Sequence, residues 1–312
     1  PRRKRPRRPP AEARFDAAEA NDAEKAPKLH PGQAGSMVLR AQVLLDRAHF
    51  SPGEIDGRFN ENTRRAASAF QKGHGIRPAG ALGPETWRLL NGDSAPAVVS
   101  YPISEEDAAG PFFDVPEDMM EKASLPALGY GSPLEEIAER FHASPPLLRR
   151  LNPGKALEQA GEEILVPNVE RDPPGKAARV LVDASDHAVY AFDRRGRVLA
   201  RYPASVGSEH DPLPVGRWKI RGRSIDPKFH YNPDLFWDAE AESDKATIAP
   251  GPNNPVGRVW IDLSKKHYGI HGSPEPAQIG KTQSHGCIRL TNWDALELAR
   301  IVSPGTPAVL RR

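Results

Sequence analysis

The sequence contains a single cysteine, Cys287, among 312 residues. One thiol forms no internal disulfide, and without a second cysteine there is no paired-thiolate zinc motif. An excess of charge of one sign is also missing, because 43 Lys and Arg are balanced by 41 Asp and Glu, for a formal net charge of +2. The chain as a whole therefore lacks the strong positive charge that nonspecific nucleic-acid binding requires. No run of about 18 apolar residues occurs, so the sequence predicts no membrane-spanning helix.

Proline and glycine, in contrast, are abundant, with 33 and 26 residues. At roughly 100–200 residues per domain the length predicts two or three units, separated by Pro- and Gly-rich stretches. Six of the first eight residues are Arg or Lys, and residues 1–31 have no apolar periodicity. We therefore expect residues 1–31 to be a disordered, basic and Pro-rich tail. Its charge fits either contact with an acidic polymer or lipid headgroups, or simple solvation.

Residues 36–91 have the spacing of a small three-helix domain. Gly83-Pro84 places proline in the first turn of the third helix. The spacing of residues 39–45, 55–59, 63–71 and 82–87 resembles the helical peptidoglycan-binding domain found beside many cell-wall enzymes, and this resemblance implies that the domain binds peptidoglycan. The apolar residues at helical spacing are Met37, Ala41, Leu44, Leu45, Ala48, Thr63, Ala66, Ala67, Phe70, Trp87, Leu89 and Leu90.

The middle of the chain divides into two segments. Residues 92–128 mix Pro, Gly, Ser and acidic residues, and we expect a linker with some packed turns. Residues 129–169 carry two apolar stripes at helical spacing and then a short strand. Helix, helix and strand, with Leu151-Asn152 and with Ile-Leu-Val-Pro at 164–167, resemble the lysin-motif (LysM) glycan-binding module. The opening Gly-Asp-Thr of that family is Gly-Ser-Pro at 131–133 here.

Residues 178–312 switch to a period of two, which is typical of β-strands. Residues 179–182, 187–192 and 198–202 predict an antiparallel meander, and further strands are expected at 216–223, 258–263, 269–271 and 306–310. One helix begins after Thr291, which has an acid three residues on as in a capped N-terminus. The predicted fold is a multidomain α+β chain with a three-helix domain, a small α/β module and a mainly β C-terminal domain.

The cysteine lies in a segment with two histidines. A free thiol is only slightly ionised at neutral pH, so a nucleophilic Cys287 needs a base, for which His271 and His285 are candidates. The glycines Gly272 and Gly286 allow close approach of the backbone, and the N–H groups of Gly286 and Cys287 are candidate donors to an oxyanion. Two other interpretations stay open from spacing alone: a buried structural cysteine, and a metal site formed by His271, His285 and Cys287.

Gly-Ile-His-Gly-Ser at 269–273 and Ser-His-Gly-Cys-Ile-Arg-Leu at 284–290 resemble the signature of the L,D-transpeptidase (YkuD-type) family, and the similarity extends over about residues 178–310. The resemblance implies that Cys287 is the nucleophile and His271 the proton acceptor and donor. It also implies that the backbone carbonyl of Gly272 orients His271, that Gly286 supplies an oxyanion N–H, and that His285 has a supporting role.

The same resemblance implies a substrate and a location. Cys287 would attack a peptidoglycan tetrapeptide stem, become acylated with release of D-Ala, and pass the acyl group to an amine. Ser284 and Arg289 would contact the carboxylates of the stem. Water as the acceptor would make the protein an L,D-carboxypeptidase, and a vestigial site would leave a non-catalytic wall-binding protein. Neither a cofactor nor a metal is expected. The expected partner is peptidoglycan rather than nucleic acid, and the expected location is the periplasm or cell envelope after export with a trimmed signal.

Overall fold

The computed structural model describes residues 14–235, 244–284 and 286–312. The basic cluster at residues 2–8 lies outside these ranges. Within them, no helix has both the length and the apolar run needed to cross a bilayer. The helices are α1 (Ala17–Asn21), α2 (Ser36–Arg47), α3 (Glu61–Gly73), α4 (Pro84–Leu90), α5 (Glu105–Ala109), α6 (Met119–Ser124), α7 (Pro133–Arg140), α8 (Pro145–Leu151) and α9 (Asn292–Ile301). The strands are β1 (Val98–Pro102), β2 (Glu163–Pro167), β3 (Arg179–Asp183), β4 (Ala188–Phe192), β5 (Val198–Pro203), β6 (Ser205–Val206), β7 (Gly216–Ile225), β8 (Phe229–Tyr231), β9 (Ala246–Ile248), β10 (Val259–Leu263), β11 (Gly269–His271), β12 (Ile288–Arg289) and β13 (Pro307–Arg311).

The three predicted helices of the first domain are present as α2, α3 and α4. The third begins as the sequence predicts, with Pro84 in the first turn of α4, and the Asn60 side chain caps α3 by accepting the Thr63 N–H. Their apolar faces pack around the fully buried Trp87. The apolar stripes at helical spacing therefore predicted this domain and its core correctly.

The expectation of a disordered tail is wrong for the part of it that the structure describes. Residues 14–31 include α1, and Ala20 is fully buried. Leu29 forms a β-bridge with Leu82, and the Trp87 Nε1–H donates to the Pro27 carbonyl at 2.7 Å. Isolated apolar residues in this segment fill grooves of the neighbouring domains, so their burial leaves no periodic pattern in the local sequence.

The expected linker at 92–128 is also a folded segment. It contains β1, which pairs antiparallel with β2 across more than sixty residues, as well as α5 and α6. Together β1, α7, α8 and β2 form a two-stranded sheet with two helices, and Ile137, Leu148 and Ile164 are buried in the shared core. The module predicted at 129–169 therefore starts earlier, near Ala97. Its first strand was missed because its partner is distant in sequence and Pro102 ends it.

The C-terminal domain is built on a nine-stranded sheet in the described residues, with the order β5-β4-β3-β13-β7-β10-β11-β12-β6. The predicted meander is present as the antiparallel set β3, β4 and β5. Only Ala204 separates β5 from β6, although they are the two edges of the sheet. The edges therefore lie close together, and the sheet wraps around an apolar core as in a barrel. The prediction of a mainly β domain is confirmed.

Helix α9 begins where the sequence predicts. The Thr291 hydroxyl accepts the Asp294 N–H at 3.2 Å. The buried face of the helix, which includes Leu298 and Ile301, packs into the same core as β10 and β11. The first residue of α9, Asn292, is thereby held against the strands that carry the catalytic candidates.

The domains are joined by direct hydrogen bonds rather than separated by flexible linkers. The Ser51 N–H donates to the Arg201 carbonyl at 2.9 Å, and the Arg201 N–H donates to the His49 carbonyl at 2.8 Å. A few residues on, the Ile55 N–H donates to the His142 carbonyl at 2.8 Å. The loop between α2 and α3 therefore contacts both the middle module and the C-terminal domain.

A buried ionic cluster lies at the junction of these three units. Arg171, which follows β2, donates to Oε2 of Glu297 at 2.8 Å and pairs with Asp46, which is fully buried. Asp46 also lies 3.0 Å from the His142 ring nitrogen, and the Tyr202 hydroxyl donates to Glu297 at 2.9 Å. Ion pairs that are removed from water interact more strongly than exposed ones and require every partner to be present. The cluster therefore couples the assembly of the three units.

Candidate active site

Cys287 and His271 are brought to one face of the sheet by two parallel strands. Strand β11 pairs with β12 so that Ile270 lies opposite Ile288 and His271 opposite Arg289. Cys287 directly precedes β12, two positions from Arg289. Because side chains alternate between the faces of a strand, the side chains of Cys287, Arg289 and His271 belong to the same face. The neighbouring residues Ile270 and Ile288 are fully buried in the core on the other face.

These side chains line a cavity of about 1200 Å³. Its walls come from several parts of the chain: Trp260 of β10, Tyr268, the hairpin residues Phe229 to Tyr231, and Glu117 to Met119 at the start of α6. Binding sites for small ligands usually occupy 300–1000 Å³. This cavity is therefore large enough for more than one short peptide.

His271 is 5% exposed, and its ring stacks on Trp260 at a centroid distance of 5.5 Å. Its Nδ1 lies 2.7 Å from the carbonyl oxygen of Gly272. A carbonyl only accepts, so Nδ1 carries the proton and Nε2 keeps its lone pair. Burial lowers the pKa of His271 to about 4, so the ring is neutral at neutral pH. The arrangement presents a neutral imidazole that is ready to accept a proton.

The thiol of Cys287 is protonated in the resting site. Burial raises its pKa, while a backbone N–H of Gly269 and the guanidinium of Arg289 act in the opposite direction. Its Sγ lies 3.8 Å from the carbonyl oxygen of His267, to which the thiol donates. A neutral thiol beside a neutral imidazole is set up for general-base activation rather than for a preformed thiolate–imidazolium pair.

The loop before Cys287 is shaped by a glycine and a serine. Gly286 has a φ of +88°, which is rarely adopted by other residues, and a Cβ at this position would lie 2.9 Å from the Tyr268 ring. Ser284 is buried, and its hydroxyl donates to the Cys287 carbonyl at 2.5 Å. Ser284 also lines the cavity, so the structure gives it a role in holding the nucleophile loop. His285 lies outside the described residues.

Cationic side chains line the cavity together with the acidic Glu117, Asp118 and Asp211. Arg289 donates to the Gln283 carbonyl, and its buried Nε has no hydrogen-bond partner among the described residues. Lys265 and Lys266 line the cavity as well, and sequence analysis did not single them out. A guanidinium and two ammonium groups are suited to carboxylates of a peptide.

Asn292 is the fully buried residue that packs against the backbone next to His271. Its Oδ1 accepts the Arg258 N–H at 3.0 Å. A Cβ at Gly272 would lie 2.2 Å from this oxygen, and one at Gly257 would lie 2.0 Å from it. The two glycines are therefore required for the close approach of Asn292. Sequence analysis missed Asn292, Trp260 and Tyr268 as site residues; the one local signal for Asn292 is its place shortly after Cys287 in the chain.

Among the residues that the structure describes, no group of three or more His, Cys, Asp or Glu side chains is arranged to hold a metal ion. The site instead combines a thiol, a neutral imidazole and cationic side chains in one open cavity. Such a combination is suited to acyl transfer through a covalent thioester.

Comparison with known families agrees with this chemistry. Residues 177–310 match the YkuD family, described as the L,D-transpeptidase catalytic domain, and residues 34–90 match a putative peptidoglycan binding domain. The putative L,D-transpeptidase YkuD of Bacillus licheniformis is 35% identical over 178 residues, which cover 56% of this chain and 92% of the relative. Its counterpart from Bacillus subtilis is 33% identical over 183 residues, which cover 58% of this chain and 95% of the relative.

Among solved structures, the L,D-transpeptidase (residues 123–326) from Xylanimonas cellulosilytica DSM 15894 is 19% identical. The match covers 92% of this chain and 99% of that one, with a TM-score of 0.39. The chain belongs to the YkuD family of L,D-transpeptidases and carries an N-terminal domain of the peptidoglycan-binding type.

Proposed function

We propose that this L,D-transpeptidase cross-links peptidoglycan by transferring the acyl group of a tetrapeptide stem through Cys287 to the amine of a second stem. The observation that carries the proposal is the placement of Cys287 and a neutral His271 in one cavity, with His271 Nδ1 fixed by Gly272. The family match supports the reaction class, and the placement of the side chains supports the roles proposed for them.

In the first half-reaction His271 Nε2 takes the proton of the Cys287 thiol as Sγ attacks the carbonyl of the third-position residue. The oxyanion forms beside the N–H groups of Gly286 and Cys287, which are the candidate donors. The carbon–nitrogen bond to D-Ala then breaks, and the imidazolium returns its proton to the leaving amine. The products of this step are free D-Ala and a Cys287 thioester.

In the second half-reaction the side-chain amine of another stem attacks the thioester. His271 accepts a proton from the attacking nitrogen as the new carbon–nitrogen bond forms. The carbon–sulfur bond breaks, and the proton passes from His271 to the Cys287 sulfur. The enzyme is restored, and two stems are joined through their third-position residues.

Substrate contacts follow from the charge around the cavity. Arg289 has an Nε without a partner in the described part of the chain, and this guanidinium is the candidate contact for a stem carboxylate. Ser284 is a weaker candidate than the sequence indicates, because its hydroxyl donates to the Cys287 carbonyl. The supporting role for His285 stays a prediction.

Hydrolysis is the competing outcome at the same site. A water molecule in place of the second amine would give an L,D-carboxypeptidase by the same thioester. The cavity volume of about 1200 Å³ favours the transferase, since one short peptide leaves room for a second. Water would need no such space.

The other domains are also consistent with peptidoglycan as the partner. The N-terminal domain and the catalytic domain both point to peptidoglycan, which places the protein at the cell envelope. We further propose that the protein is exported into a periplasm and that a signal segment is removed. We also propose that the module formed by β1, α7, α8 and β2 is LysM-like and binds glycan, because β1 pairs with β2 and both share a core with α7 and α8, while α5 and α6 form an insertion after β1.

Mass spectrometry of muropeptides tests the proposal. Tetrapeptide-rich sacculi are incubated with the full chain and, in parallel, with Cys287→Ala. We expect dimers joined through third-position residues with the unsubstituted protein alone. Tripeptides without dimers would move the assignment to a carboxypeptidase, and unchanged muropeptides with both proteins would refute an enzymatic role.

A further inference from the structure

Helix α7 of the middle module reaches the catalytic domain with a carboxylate. Glu139, near its C-terminal end, accepts a hydrogen bond from Asn292 Nδ2 at 2.9 Å. The Tyr130 hydroxyl donates to its other oxygen at 3.1 Å. Glu139 is therefore a partly buried carboxylate with two donors, and one of them belongs to the catalytic domain.

The amide of Asn292 has three fixed partners. Its Nδ2 donates to Glu139 and to the Pro252 carbonyl at 3.1 Å, while its Oδ1 accepts the Arg258 N–H at 3.0 Å. An amide can turn over by exchanging its oxygen and nitrogen. Two acceptors on one side and one donor on the other select a single orientation, in which Oδ1 faces the backbone of Gly272.

Gly272 is the residue whose carbonyl receives the His271 Nδ1–H at 2.7 Å. Its own N–H donates to the Val259 carbonyl at 3.1 Å, and Oδ1 of Asn292 packs where a Cβ would lie. The position of this carbonyl sets the tautomer and the direction of the His271 ring. A chain of contacts thus runs from Glu139 through Asn292 and Gly272 to the catalytic base.

We propose that Glu139 is a positioning residue of the transpeptidase, which acts through Asn292 and Gly272 to hold His271 in its proton-accepting orientation. The middle module then completes the catalytic machinery in addition to any binding role. This inference rests on the proposed acyl transfer at Cys287. Burial raises the pKa of Glu139 to about 7, so a neutral acceptor at this position is compatible with the native contacts.

Acylation of Cys287 by a carbapenem, followed by intact-protein mass, tests the proposal without an acceptor substrate. In the full chain, Glu139→Ala lowers the limiting acylation rate about tenfold and leaves the half-saturating carbapenem concentration within about twofold, because the hydrogen bond that is lost orients the base through Asn292. Glu139→Gln keeps an acceptor for Asn292 and stays within about threefold of the unsubstituted protein.

Glu135→Ala is the matched control. Glu135 lies on the same helix and accepts from Asn253 of the catalytic domain at 2.7 Å, so its loss weakens docking without touching Asn292. We expect its limiting rate within about twofold. Glu139→Ala acylated at the unsubstituted rate, or Glu135→Ala slowed as much as Glu139→Ala, would overturn the positioning role and leave the proposed function intact.

A second pair keeps the test decisive if Glu139→Ala does not fold. Asn292→Asp sets a carboxylate against Glu139 and is expected to slow acylation at least tenfold. In the double variant E139Q/N292D the glutamine donates to the aspartate, and the rate recovers at least threefold. No recovery would overturn the proposal. An unsubstituted protein that neither acylates nor acts on tetrapeptides would refute the proposed function, and the inference with it.

Discussion

The hydroxyl of Ser51 donates to Oδ2 of Asp294 at 2.9 Å, and both residues are fully buried. The contact joins the first domain to helix α9, which adjoins the active site. Burial raises the pKa of Asp294 to about 8, with the neighbouring Asp46 acting in the same direction. The catalytic helix is therefore docked through a carboxyl group that resists ionisation.

This raised pKa predicts a pH dependence of stability. The folded pKa of about 8 exceeds the usual value of 3.8, so the folded state binds the proton more tightly than the unfolded state. The contribution is fully present below pH 3.8, and it is lost progressively as the pH rises through 8. When the pH is raised from about 6 to about 8.5, we expect the Tm of Asp294→Asn to fall less than the Tm of the unsubstituted protein. Thermal unfolding at these pH values measures the difference. Equal slopes would contradict the assignment.

The buried ionic cluster predicts a large loss of stability on removal of its cation. Arg171→Met removes the arginine that Asp46 and Glu297 share, which costs about 3–5 kcal/mol for a buried pair. Urea unfolding monitored by fluorescence measures the change. Arg197→Ala is the control, because its pair with Asp193 lies at the surface, where solvent screens it, and its loss is expected to change the free energy of unfolding far less than Arg171→Met does.

The lowered pKa of His271 predicts the acid limb of the acylation rate. Because its pKa is about 4, the imidazole stays unprotonated and able to accept a proton down to that range. The limiting rate of carbapenem acylation should therefore be constant from about pH 8 to about pH 5. Below about pH 5 the rate should fall, because His271 becomes protonated and no longer accepts a proton. A limb centred near the ordinary histidine value of 6.5 would show that the ring is not desolvated in this way.

The hydrogen bond of Ser284 to the Cys287 carbonyl predicts a modest effect on the limiting rate of carbapenem acylation. Ser284→Ala removes the hydrogen bond to the Cys287 carbonyl, which is worth about 0.5–1.5 kcal/mol. We expect a limiting acylation rate lowered roughly threefold to tenfold, with the Tm changed little. Ser273→Ala, in a buried serine whose hydroxyl accepts the Glu275 N–H, serves as a comparison. A raised half-saturating carbapenem concentration at an unchanged limiting rate would instead assign Ser284 to substrate binding.

The catalytic candidates were visible in the sequence because they lie in two short segments. His271-Gly272 and the Ser-His-Gly-Cys run at 284–287 carry a pattern of residue types whose chemistry can be named without coordinates. Strands such as β7, β10 and β11 were predicted within a few residues from their period. Local periodicity predicts these strands, because an alternating strand buries one face wherever it packs.

The folded nature of residues 14–31 and of β1 could not be predicted in the same way. Phe15 and Leu29 are single apolar residues that pack against distant partners, and β1 acquires its hydrogen bonds from β2. A segment whose stability comes from a remote partner has no signal in its own window. Composition therefore predicted a tail and a linker where residues 14–31 and β1 are in fact folded.

By itself, the sequence indicated the candidate nucleophile and base, the family and the succession of helical and β units, since each depends on neighbouring residues. Only the tertiary structure decided that the units dock directly, that Arg171 joins three of them, and that Glu139 reaches Asn292 beside the catalytic histidine. Those relationships join residues more than a hundred positions apart. Their energy comes from burial and hydrogen bonding that exist only after the chain has packed.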